Sequence, residues 1–93
     1  MLFANKIKES RESKQILQRH ISAVLDMDNA MYCKIERGER KAKREQVINL
    51  ARTLGIAQQE LLVLWLADQI IEIIADEKEL SDKALSIVKQ TIN

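Results

Sequence analysis

Only two glycines, Gly38 and Gly55, and no proline stand in this chain of 93 residues. Tight reverse turns draw on Gly and Pro, strands favour aromatic side chains, and aromatics make up 3% here. A sheet has too little to work with, and an all-α domain of about six helices follows. Each glycine ends an apolar stripe of helical period, where a left-handed C′ residue belongs. The length supports one small domain with a modest core and excludes a multidomain enzyme. An apolar share of 46% with 31% charged residues is the balance of a globular chain.

Phe3, Ile7 and the residues through Glu12 predict a first helix, with Lys6, Lys8, Glu9 and Glu12 on its wet side. Ile21, Val24 and Leu25 at i, i+3 and i+4 mark a second, from about Leu17 or Gln18 to around Asp26. Asp28 is placed to cap a third helix through Arg37, whose inward face is Tyr32 and Ile35. Residues 39–44 form a polar, mostly basic connection. The fourth helix turns Val47, Ile48, Leu50, Ala51 and Leu54 inward and closes at Gly55. Residues 58–75 predict a longer fifth helix, in which 12 of the 15 residues of 61–75 are apolar. That exceeds what one contact face requires and falls short of the roughly 20 residues that span a bilayer. An acidic break at 76–79 follows, and Ser81 is expected to cap a last helix carrying Ala84, Leu85, Val88 and Ile92 on one stripe.

The net charge of +1 conceals a division. Residues 1–60 hold 12 Lys and Arg against 8 Asp and Glu, a net of +4, while 61–93 hold 3 against 6, a net of −3. The front of the chain has the charge that seeks a polyanion. Lone Cys33 makes no internal disulfide, and Cys33 with lone His20 builds no metal site. No nucleophile–base pair, carboxylate pair or glycine-rich phosphate loop is present, so neither a catalytic role nor a cofactor is expected. No apolar stretch of signal-peptide length opens the chain, and a reducing cytoplasm is the expected setting.

Two short helices around Asp26-Met27-Asp28 followed by cations are what a helix-turn-helix reader of DNA needs. One helix crosses the backbone, one enters the major groove, and the cations meet phosphates. The chain resembles the Cro/phage-repressor-like (Xre-type) helix-turn-helix regulators through Arg11, Gln18, Leu25-Asp26-Met27-Asp28 and Lys34-Ile35-Glu36-Arg37-Gly38-Glu39-Arg40. The resemblance covers roughly residues 3–66. It implies a five-helix, lambda-repressor-like core over 1–66, with 67–93 as a C-terminal helical extension.

By the same resemblance, Gln18 holds a DNA phosphate from the start of the second helix, as do Lys41 and Arg44 past the third. Asn29, Ala30 and Lys34 fall on base-reading positions, with Met31 beside them, and Arg11 and Glu36 match a partly buried ion pair. The chain departs from the family with Asp26 where Gly is usual and with Leu17 and Ala57 where hydroxyl caps are usual. On the reading face, Ala30, Met31 and Cys33 replace small hydroxyl residues. Asn29 has the chemistry to pair with adenine, Lys34 to donate to guanine, and Ala30 or Met31 to pack on a thymine methyl. Cys33 reads as a small half-exposed residue more than as a redox sensor, His20 as exposed, Tyr32 as core, and Trp65 as core or interface.

The apolar excess of the fifth helix suggests a homodimer, with Leu64, Ile70, Ile71, Ile74, Leu85 and Val88 at the interface, matching a palindromic operator. A transcriptional regulator, repressor or controller protein, is the leading expectation. An antitoxin that neutralises a protein toxin and autoregulates through the same unit is the alternative, and residues 67–93 are where the two differ.

Overall fold

The computed structural model describes residues 1–93. Six helices follow in order, α1 (Leu2–Ser13), α2 (Gln18–Val24), α3 (Asn29–Glu36), α4 (Arg44–Leu54), α5 (Gln58–Ile74) and α6 (Lys78–Ile92), with no strand. The core gathers Phe3 and Ile7 of α1, Ile21 of α2, Tyr32 and Ile35 of α3, Val47, Leu50 and Leu54 of α4, and Leu61 of α5. Each such side chain contributes about 1.5–3 kcal/mol on burial. α5 lies against α4 and α1, α2 packs on α3, and α1 and α4 support that pair from behind.

The first four helices end in the same way. Ile16 N–H reaches the Arg11 carbonyl and Gln15 N–H that of Glu12; Met27 reaches Ser22 and Asp26 reaches Ala23. Glu39 and Gly38 do the same to Lys34 and Ile35, and Ile56 and Gly55 to Ala51 and Arg52. These are paired Schellman closures, with a left-handed residue at C′: φ is 57° at Gln15, 52° at Asp26, 76° at Gly38 and 68° at Gly55. The two non-glycine turns form because the residue after each, Ile16 or Met27, packs against the core. That apolar contact offsets the steric cost of left-handed backbone.

Several local expectations are corrected. Asp28 stands before α3, yet its side chain makes no capping hydrogen bond. α2 ends at Val24, short of Asp26. α6 begins at Lys78, so Ser81 lies inside it and its hydroxyl donates to the Lys78 carbonyl instead of capping. Asp68, one of three polar residues in the apolar run of α5, is buried and accepts Leu2 N–H at 3.0 Å and Phe3 N–H at 2.9 Å. A carboxylate on α5 thus caps α1, where the helix dipole favours negative charge.

α6 buries no residue, and no helix is long and apolar enough to cross a membrane. The radius of gyration is 14.9 Å, against about 12 Å for a compact chain of this length, and the longest dimension is 43 Å. The excess length is the protruding α6.

Replacing Gln15 with Gly should relieve its left-handed strain and stabilise the fold by about 1 kcal/mol, read from the urea midpoint. Gly38→Ala should instead cost about 1–2 kcal/mol, because a Cβ there also lies 2.8 Å from Met1 Cγ. A neutral or destabilising Gln15→Gly would contradict this picture of the α1 terminus.

Candidate nucleic-acid interface

One carboxylate ties three helices together. Glu36 at the end of α3 takes Arg11 Nε of α1 at 2.9 Å on Oε2 and Arg11 Nη2 at 2.7 Å on Oε1. Gln18 Nε2, from the first turn of α2, donates to Oε1 at 3.1 Å, and Arg11 Nη1 donates to the Ile16 carbonyl at 2.8 Å. The Arg11 and Glu36 side chains are only 12% and 2% exposed, so the pair expected from the resemblance is internal. Burial of Glu36 works against its charge, but the hydrogen bonds from Arg11 and then Gln18 hold its carboxyl below the usual range. Glu36 in turn raises the Arg11 pKa despite burial. The Tyr32 hydroxyl is buried with no hydrogen-bonding partner; burial first, and the neighbouring Glu36 second, push its phenol far up.

With α3 clasped from behind, its other side faces solvent. Asn29, Ala30 and Lys34 are exposed, while Met31 and Cys33 are half-buried. The Asn29 carbonyl oxygen accepts from Ser22 Oγ at 3.2 Å, which anchors its amide and leaves the NH2 group unengaged. Arg37 is exposed and paired with Glu39, whereas Lys34 has no acidic partner. Gln18 is engaged at both ends of its amide, since Cys33 Sγ donates to Oε1 at 3.2 Å. A phosphate contact from Gln18 is therefore restricted to its second amide hydrogen or to the backbone at the α2 terminus.

Lys41 and Arg44 are both exposed, in the loop after α3 and at the first position of α4. The loop is pinned: Trp65 Nε1 on α5 donates to the Ala42 carbonyl at 2.8 Å, and the Lys41 ammonium lies 5.8 Å from the Trp65 ring centroid. Ala42 itself is buried. Sequence reasoning missed this role for Trp65, because nothing local joins residues 23 apart. Arg19 in the first turn of α2 and Lys43 just before α4 are further exposed cations, and neither was singled out.

Of the residues expected at a dimer interface, Ile70, Ile71 and Val88 are exposed, and Ile74 and Leu85 are half-buried. Leu64 packs on the core of its own chain. Val63, Leu66, Ile70 and Ile73 are exposed at 60%, 51%, 44% and 78%, a 3-4-3 spacing along one line of α5. A helix apolar all round carries no periodicity to reveal that line, so Val63, Leu66 and Ile73 were not identified.

No group of three or more His, Cys, Asp or Glu converges as metal ligands. Comparison of the chain with protein-family models, curated proteins and solved structures returns no match.

Removing one partner of a buried ion pair strands the other charge. Arg11→Met should cost about 3–5 kcal/mol, and Arg11→Met with Glu36→Leu far less than the sum of the two singles, in a urea-denaturation cycle. Because the folded-state pKa of Glu36 is depressed, its contribution is present above the ordinary Glu range and lost as pH falls through the folded value. Glu36→Gln should flatten that acid limb. Additive single effects, or an unchanged acid limb, would contradict the clasp.

Proposed function

We propose that this chain is a sequence-specific double-stranded-DNA-binding transcriptional regulator that acts as a homodimer on a palindromic operator. The observation that carries the reading is the outward face of α3, with Asn29, Ala30 and Lys34 exposed and followed along the chain by exposed Lys41 and Arg44, on a two-helix unit clasped from behind. Asn29 pairs with adenine, Lys34 donates to guanine O6 or N7, and Ala30 with Met31 meets a thymine methyl, each good polar pair discriminating by about 1–3 kcal/mol. Lys41 and Arg44 bind phosphates, and Gln18 fixes register at the α2 terminus. The ion pair Arg11–Glu36 stays inside and touches no DNA.

Dimerisation is supported by unpartnered apolar surface. Val63, Leu66, Ile70 and Ile73 on α5 and Leu80, Ile87, Val88 and Ile92 on α6 are each between 44% and 78% exposed. Covering such a side chain returns about 1 kcal/mol, and two copies contribute twice. That is comparable with the roughly 4–15 kcal/mol that association costs. A twofold dimer sets half-sites about 34–36 Å apart, one duplex turn.

A random-oligonucleotide selection at about 150 mM salt tests the reading. An enriched palindrome supports it; absence of enrichment, with only weak salt-sensitive binding, overturns it and favours a protein partner such as a toxin. On the selected site, Lys34→Ala should relax preference at one base position by about 1–3 kcal/mol. Arg44→Ala should weaken all sequences alike and flatten the log-log salt slope by about one. Equal losses on every sequence for Lys34→Ala would remove it from the base-reading set.

A further inference from the structure

A buried hydroxyl sits behind the first residue of α3. Ser22 on α2 is 4% exposed, and its Oγ lies 3.2 Å from the Asn29 carbonyl oxygen and 3.1 Å from the Arg19 carbonyl. The Ser22 backbone is fixed as well, because Met27 N–H closes α2 on the Ser22 carbonyl at 2.9 Å. Asn29 is exposed at the first position of α3, so a group held inside the protein grips a side chain that faces out.

The grip decides what that side chain can read. The terminal torsion of Asn is two-fold, so an untethered amide exchanges the places of its oxygen and its NH2 group. Adenine offers the N7 acceptor beside the N6 amino donor, whereas guanine offers two acceptors, N7 and O6. A carbonyl oxygen has two lone pairs, so accepting from Ser22 leaves one for the adenine amino group while the NH2 meets N7. Turning the amide over to set NH2 on guanine O6 breaks the bond to Ser22. The hydroxyl has one hydrogen for two acceptors, and only its bond to Asn29 presents the NH2. With the hydrogen on the Arg19 carbonyl, Oγ accepts from the NH2 instead, and the Asn29 carbonyl is the atom presented.

We propose that Ser22 is a specificity-determining positioning residue: it holds the Asn29 carbonyl oxygen from inside the protein, so that the amide meets adenine in one fixed order and discriminates against guanine. Ser22 itself touches no DNA. This rests on the DNA-reading role proposed above and assigns the discrimination at one base pair to a buried residue.

The test compares the full-length parent, Ser22→Ala, Asn29→Ala and the double variant on the duplex enriched by selection and on duplexes carrying each single base-pair change. Urea denaturation checks the fold, which Ser22→Ala preserves: Ala is the stronger helix former, and both acceptors of the lost hydroxyl belong to exposed residues. Asn29→Ala marks the base pair that Asn29 reads, expected to be A·T. At that pair Ser22→Ala should lower the preference for A·T over G·C by about three- to tenfold, the weight of one hydrogen bond, with preferences elsewhere unchanged. In the Asn29→Ala background Ser22→Ala should change nothing further, because the amide it positions is gone. Replacing that adenine with 7-deazaadenine, which lacks the N7 acceptor, should weaken the parent and not Asn29→Ala. A parent indifferent to 7-deazaadenine presents its carbonyl and overturns the assignment. Uniform weakening on every duplex, or an unchanged A·T preference in Ser22→Ala, overturns the positioning role and leaves the DNA reader standing. An Asn29→Ala variant that moves no base-pair preference overturns the proposal together with the base-reading role of Asn29. Absence of any enriched duplex overturns the proposal and the DNA-reading role together.

Discussion

The bidentate contact between Arg11 and Glu36 is the constraint on which the arrangement of the first three helices depends. α2 and α3 are each too short to hold together by their own hydrogen bonds, and neither receives a side-chain cap at its start. Their geometry is set from outside, by Ile21, Tyr32 and Ile35 in the core and by the Glu36 carboxylate, which joins α1, α2 and α3 through Arg11 and Gln18. Placing two charges out of water brings little net stability, but each charge is intolerable without the other. The pair therefore acts as a registry device: α3 packs in the orientation that satisfies Glu36, and its other side is left to solvent.

The same logic of contacts from far along the chain governs α1 and the basic loop. Asp68 caps α1 from α5, and Trp65, less than one helical turn earlier, holds the Ala42 carbonyl. α5 is thus a spine that fixes both the start of the scaffold and the loop carrying Lys41. Its outer line, Val63 to Ile73, and the protruding α6 leave the apolar surface on which assembly is proposed. Basic chemistry at 37–44 and acidic, apolar chemistry beyond 60 are separate in the sequence and serve different partners in the proposed function.

The all-α class, the six elements and the two glycine closures were legible because helical periodicity and C′ chemistry are local signals. The pairing of Arg11 with Glu36 was legible only through a family resemblance, and the two side chains do meet. The capping role of Asp68 and the anchoring role of Trp65 were not legible, because their partners lie 65 and 23 residues away, beyond any periodic pattern. The α6 start was placed late because Ser81 is a good cap by type, while Glu77 begins the helix without a side-chain cap. Gln15 gave no sign of a left-handed turn, since the closure there depends on Ile16 reaching the core. Interface residues on α5 were the least legible, as a helix apolar on every side does not say which line stays wet.

The most direct measurement is a duplex titration of the labelled protein by heteronuclear NMR, using the DNA enriched by selection and following backbone and side-chain shifts. A helix-turn-helix reader predicts saturable changes at the α2 start, at Asn29, Ala30 and Lys34, and through Lys41 to Arg44, with the Arg11 and Glu36 signals little moved. Shifts confined to α5 and α6, or uniform small shifts that vanish with modest salt, would contradict it.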